Sequence, residues 1–174
     1  MKWNQKYNYP KSIRALYNGQ RLYDVNNEKL PSVTTIISAT KSKKDKESLE
    51  RWRKKIGAAS AEKITREATN RGSVMHDFLE KFLLGKLNLD LLGDNSLERQ
   101  MADQIIENGL RNKITEIYGV EATLFFPGRY AGAADLICKY EGKDSIIDFK
   151  NSSQLRKDEW NFEYYLQLSA YQMA

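Results

Sequence analysis

The stretch YAGAADLICKYEGKDSIIDFK, residues 130 to 150, constrains this chain more than any other. Two runs rich in apolar, β-branched and aromatic residues flank a turn containing Gly142, the pattern of a β-hairpin. Asp135, Asp148 and Lys150 interrupt residues that otherwise read as core. Strand side chains alternate between faces, so Asp148 and Lys150, two apart, leave the same one. Asp135 joins them if the loop holds two residues, EG or GK, or four; a loop of three turns it away. The hairpin therefore makes a prediction of parity.

Two carboxylates about 4 Å apart repel by roughly 4 kcal/mol at an effective dielectric near 20. Something positive must sit between them. Lys150 can do so as a buried ion pair. A divalent cation does it better, and leaves the lysine free to orient an attacking water or to stabilise charge growing on a phosphate. In RGSVMHDFLEKFLLG, His76 and Glu80 are four apart on one helical face, while Val74, Phe78, Leu79, Phe82 and Leu83 supply packing. His76 is a candidate third donor. It is the only histidine and Cys138 the only cysteine, so a multi-histidine site, a cysteine zinc site and an iron–sulfur cluster on several thiolates are excluded. A metal held chiefly by carboxylates points to Mg²⁺ or Mn²⁺. Cys138 reads as a small core residue.

A length of 174 residues suits one domain that needs no staple. The N-terminus MKWNQKYNYPKS lacks an apolar run, and no stretch approaches the ~18 uninterrupted apolar residues of a membrane span. These features predict a soluble intracellular protein without a secretion signal. Between Lys41 and Lys55, KSKKDKESLERWRKK sets eight basic residues against three acidic ones, so this segment carries the whole of the formal +5. Such a stretch implies a polyanion, nucleic acid first and a membrane surface second, with a solvated helix face as the plainer alternative. Trp52, between Arg51 and Arg53, is placed either to stack a base of single-stranded DNA or to fill a core.

Residues 12–25 and 29–37 read as β-like runs around NNEK, a hairpin, with LPSVTTII carrying its proline at a strand or turn edge. From about Asp45 to Gly85 the pattern is helical, with breaks expected at Gly57 and Gly72. A third helix is expected over SLERQMADQIIENGLRNKITEIY, with Ser96 as its cap and an end near Gly119. From VEATLFF to Lys150 the chain reads as about three strands, and KDEWNFEYYLQLSAYQMA resumes helical periodicity. Trp160, Tyr164, Gln167 and Tyr171 form one stripe on that last helix. Gln167 there needs a buried partner, or stands at a site's edge where its amide bonds a phosphate or base with Tyr171 behind it. The predicted class is α/β, a small mixed central sheet with flanking helices. The helical pattern is still full at Ala174, which predicts that the natural chain continues.

Taken in order, RGSVMH to Glu80, Glu121, Asp135 in GAADLI, DFK (148–150) and QLSAY (167–171) resemble the PD-(D/E)XK nuclease superfamily. The resemblance is to its RecB-like branch and the mitochondrial genome-maintenance exonuclease type, phage relatives included, over roughly residues 20 to 174. It implies a restriction-endonuclease-like core with an N-terminal helical section: one nuclease domain, with a hairpin and helices over about 1–117 and catalytic strands and a final helix over about 118–174. It implies Mg²⁺- or Mn²⁺-dependent hydrolysis of DNA, the ion held by Asp135, Asp148, the main-chain carbonyl of Phe149 and His76. Lys150 corresponds to the catalytic lysine. Glu121 is left to the metal or to a second ion, and Glu80 to supporting the ligands. Gln167, Tyr171, Arg71, Lys43, Lys44, Arg51, Trp52 and Arg53 would meet DNA. The expected activity is a single-strand-preferring exonuclease of recombination, repair or replication processing, cellular or viral; the alternatives are a structure-specific endonuclease subunit and a silent DNA-binding module. No P-loop G-x4-G-K-[ST] is present, so no ATP is expected and a helicase or recombination partner would be a separate protein.

Overall fold

The computed structural model describes residues 1–86, 95–152 and 158–174, apart from the side chains of Arg21, Glu159 and Trp160. Trp160, the first member of the aromatic stripe, thus has its side chain outside the described residues. A mixed four-stranded sheet lies at the centre, in the order β1-β5-β6-β7. Its strands are β1 (Lys2–Trp3), β5 (Ile114–Phe126), β6 (Tyr130–Tyr140) and β7 (Lys143–Ile147). β1 runs parallel to β5 and the rest is an antiparallel meander. Helices cover both faces, which is the α/β arrangement expected and is consistent with a nuclease-like core.

On one face, α3 (Ala58–Leu83) and α4 (Leu97–Ile105) bury Met75, Leu79, Leu83 and Ala102 against Ile117, Leu136 and Cys138. On the other, α1 (Val33–Ala39) and α5 (Phe162–Met173) bring Val33 and Tyr171 onto Ala122, Ala134 and Ile137. A second, three-stranded sheet of β2 (Ser12–Tyr17), β3 (Gln20–Val25) and β4 (Glu28–Pro31) packs Tyr23, Val25 and Leu30 on Ala131. Cys138 is fully buried, as expected of a core residue, and burial pushes its thiol up to about 11.

Several expectations are corrected. The run 12–25 is two strands, split at Asn18–Gly19, where both φ angles are positive (50° and 76°) and suit a tight hairpin turn. Residues 33–37 belong to α1, because Ser32 accepts from the amide of Thr35 at 3.0 Å and caps a helix there. α2 (Lys43–Ile56) and α3 do break at Gly57, whose φ is 86°. Gly72 is no break; α3 runs through it.

The third helix is shorter than expected. α4 passes into a π-helical turn at Ile106–Leu110, Asn112 takes φ 62°, and β5 begins at Ile114. Ile114 and Ile117 are three apart, as on a helix, but β5 has register shifts between Ile114 and Glu116 and between Ile117 and Gly119. Each extra residue displaces the alternation by one, so an irregular strand buries both isoleucines and imitates a helical period.

Candidate active site

The parity of the hairpin comes first. Tyr140 pairs with Lys143, so the loop is the two-residue Glu141–Gly142, with φ of 46° and 80°. The ladder ends at Leu136–Ile147, and one step beyond it Asp135 stands opposite Asp148. Asp148, Phe149 and Lys150 lie past the end of β7, outside the ladder rather than within a strand as expected. They are held by side chains instead. The Phe149 amide donates to Asp135 Oδ2 at 2.6 Å, and the Phe149 carbonyl meets His76 Nε2 at 2.9 Å. His76 Nδ1 faces Asp135 Oδ1 at 3.5 Å.

A local irregularity brings in Glu121. On β5, Val120 packs toward α3 and α4 whereas Ala122 packs toward α5. On β6, Leu136 and Cys138 pack toward α3 and α4 whereas Ala134 packs toward α5. Regular strands would keep residues two apart on one face. The slip falls at Glu121, whose φ is 49°, and at Asp135 across from it. It gathers His76, Glu121 and Asp135 so that one ligand atom from each lies within 4.8 Å of the others, a group that can hold a metal ion. The register is unbroken there, so the re-aiming comes from the left-handed backbone of Glu121 and not from an inserted residue.

The electrostatics are those of crowded acids. Burial and then the charge of Asp135 push Asp148 above the usual carboxylate range, against the pull of Lys150. Glu121, though exposed, is raised likewise, by desolvation from the surrounding protein and then by Asp135 and Glu80. His76 is raised, first by its hydrogen bond to Asp135 and further by the Phe149 carbonyl. Its two ring nitrogens face one oxygen each, Asp135 Oδ1 and the Phe149 carbonyl. Lys150 Nζ pairs with Asp148 Oδ2, a buried oxygen with no other partner among the described residues, and stands 5.4 Å from the Tyr164 ring centre.

α5 supports this from behind. Gln167 is 6% exposed, and its Nε2 donates to Asp148 Oδ1 at 2.8 Å and to Tyr171 Oη at 3.2 Å. Both amide hydrogens are thereby engaged, so this glutamine orients the carboxylate. Tyr171 reaches it over Gly132, where an added Cβ would lie 2.6 Å from the ring. Gly132 was not singled out from the sequence, although a glycine inside a strand signals close approach.

The basic stretch forms α2. Lys43, Lys44, Arg51 and Arg53 are exposed and Trp52 is half-buried between them. Lys41 pairs with Glu163 at 3.2 Å, which ties the start of the stretch to the helix carrying Gln167. At the Gly57 elbow, Arg53 and Lys54 line a cleft with Arg66 of α3, a residue the sequence reading missed. Arg71 is half-buried on α3, just over a turn before His76.

Glu121→Gly is expected to leave the melting temperature unchanged or raise it. A left-handed backbone costs a residue with a side chain about 1 kcal/mol or more, offset in part by the entropy of glycine. Removing the carboxylate also relieves its repulsion with Asp135 and Glu80. Mn²⁺ affinity, by titration calorimetry, should fall tenfold or more; an unchanged affinity would remove Glu121 from the metal set.

No family model matches the chain. By sequence it is similar to mitochondrial genome maintenance exonuclease 1 of Homo sapiens, 26% identical over 158 residues, which cover 83% of this chain and 43% of that protein. The Mus musculus protein of the same name is 29% identical over 133 residues, 72% of this chain and 38% of that one. The chain spans less than half the length of the curated relatives it matches, and the homology it has to this exonuclease is weak.

Proposed function

We propose that residues 1–174 act as one metal-dependent DNA exonuclease domain of the PD-(D/E)XK type, RecB-like branch, with relatives among phage exonucleases. The observation that carries this reading is the gathering of His76, Glu121 and Asp135 into one group that could hold a metal, with the Asp148–Lys150 pair beside it. The similarity to a genome-maintenance exonuclease supports it.

His76, Asp135, Asp148, Glu121 and the Phe149 carbonyl would hold a Mg²⁺ or Mn²⁺ ion. One imidazole among oxygen donors, several of them carboxylates that repel one another without a cation, fits such a group. When bound, a divalent ion there lowers the pKa of water and neutralises charge on the scissile phosphate. Lys150, freed from Asp148, donates to the attacking water or to a phosphate oxygen. Gln167, backed by Tyr171, keeps Asp148 aimed at the site, and solvent protonates the leaving 3′-oxygen. Glu80, one turn from His76, adds negative charge beside Glu121. The substrate is DNA with a single-stranded end, processed in recombination, repair or replication, with any helicase as a separate partner.

The test uses end-labelled single- and double-stranded DNA and closed circles, with Mg²⁺, Mn²⁺ or EDTA. A metal-dependent ladder from linear single strands is expected, and it should vanish in Asp148→Asn and Lys150→Ala. A ladder that never appears, or that survives both substitutions, sinks the reading. Cut circles would favour an endonuclease, and salt-sensitive binding without cleavage a silent module.

α2 and the elbow cleft would track the backbone of the strand. Arg51→Gln, Arg53→Gln and Lys54→Gln together should flatten the dependence of log affinity on log salt by about 2, since each lost phosphate contact removes roughly 0.7 on single strands. Filter binding over a salt series reads this; an unchanged slope would leave α2 a solvated face.

A further inference from the structure

α3 runs unbroken past Gly72, and the reason for a glycine there is its neighbour. Gly72 is buried, and a Cβ at this position would lie 2.5 Å from Asn151 Nδ2 and 3.7 Å from its Cγ. The Asn151 side chain occupies the space that any other residue at 72 would need. Its Nδ2 also points at the Ala68 carbonyl, one turn up the helix, at 3.5 Å. Asn151 follows Lys150 directly, and Gly72 is one turn before His76.

We propose that Asn151, seated in the notch at Gly72, is a positioning residue that latches the Asp148–Lys150 segment to the helix carrying His76. The segment lies beyond β7 and has no ladder of its own. Its contacts to Asp135, His76 and Gln167 are made by groups assigned to the metal or to Asp148. Those to Asp135 and His76 are drawn on when an ion is held. The Asn151 contact is made by a residue outside that set, and it stays available when His76 and the Phe149 carbonyl serve the ion. Depth and direction of Lys150 then follow from how far one carboxamide enters one helix.

The inference rests on the nuclease reading for its catalytic consequence, but not for the latch. Four proteins separate the two: wild type, Gly72→Ala, Asn151→Ala and the double variant. Alanine prefers a helix to glycine, so Gly72→Ala alone should stabilise α3. With Asn151 in the notch it is expected instead to lower the melting temperature by several degrees. In the Asn151→Ala background the clashing Nδ2 is gone, and the same substitution should raise it. Asn151→Ala by itself should melt within a few degrees of wild type, while the Phe149 amide exchanges faster, Mn²⁺ binds more weakly and single-turnover cleavage slows about tenfold with KM little changed. The double variant should cleave no more slowly than Asn151→Ala. A Gly72→Ala effect of the same sign and size in both backgrounds would overturn the latch, as would an Asn151→Ala protein with wild-type exchange and Mn²⁺ affinity. If wild type cuts no DNA, the nuclease reading fails, and exchange and melting still decide the latch.

Discussion

Asp135→Ala is expected to abolish metal-dependent cleavage while leaving a folded protein. Asp135 ties several parts of the site together: it accepts from the Phe149 amide, faces His76, and lies with Glu121 and His76 in a group that could hold a metal. An ion that supplies several kcal/mol of charge stabilisation in the transition state is worth a rate factor of about 10³ or more when lost. The effect on stability is smaller because two terms oppose. An orphaned Phe149 amide costs about 1–3 kcal/mol, while the repulsion Asp135 exerts on Asp148 and Glu121 disappears. The melting temperature should therefore move by less than about 5 °C, given roughly 2–4 °C per kcal/mol for a chain of this size. The single histidine gives a direct readout by NMR. Without metal, His76 should titrate above its ordinary range in wild type, and in Asp135→Ala it should fall back, since that carboxylate is the first cause of the rise. A variant that still cleaves with Mg²⁺, or a His76 titration that does not move, would remove Asp135 from the centre of the site.

Gly132→Ala should produce the largest loss of stability. The new Cβ would meet Tyr171 Cε1 at 2.6 Å, Oη at 2.8 Å and Cζ at 3.0 Å. Tyr171 is 5% exposed and packs among Val33, Tyr118, Ala122 and Ala134, so its ring has little room to retreat. Overpacking of this kind costs about 1–3 kcal/mol. For a chain of this length that is a fall of roughly 3–10 °C in melting temperature. The functional loss follows the same path: a displaced Tyr171 withdraws from Gln167, and Gln167 no longer fixes Asp148. Adding Tyr171→Leu, which removes the clashing atoms, should restore most of the melting temperature but not the cleavage rate. Recovery of both would mean that Tyr171 merely fills space, and a Gly132→Ala protein as stable as wild type would show that the notch is not tight.

The parts of the site that were legible in the sequence are those governed by local rules. Loop length, written in contiguous residues, sets Asp135 opposite Asp148, whereas the aim of Asp148 and Lys150, past the end of the ladder, depends on side chains from elsewhere in the chain. The helix bearing His76 and Glu80 is likewise a matter of period. What the sequence hid depends on residues far apart in the chain. Gly72 reads as a helix breaker because its partner Asn151 is distant in sequence, and Gly132 is explained by a tyrosine on another helix. Glu121 could be named from the order of motifs, but its left-handed backbone goes with a change of face in both strands that no local pattern announces. The start of β5 misled for a related reason, since its register shifts give a strand the spacing of a helix.

Cys138 has a practical consequence. It is the chain's only thiol, fully buried, and held far from its reactive thiolate form at neutral pH. The protein therefore presents a silent background to maleimide chemistry. A cysteine introduced at an exposed position of α2, such as Lys44, would take a spin label or fluorophore alone, without prior removal of a native thiol. With Mn²⁺ as a paramagnetic centre, one such label converts the separation between the basic helix and the carboxylate cluster into a measurable relaxation rate, with and without DNA.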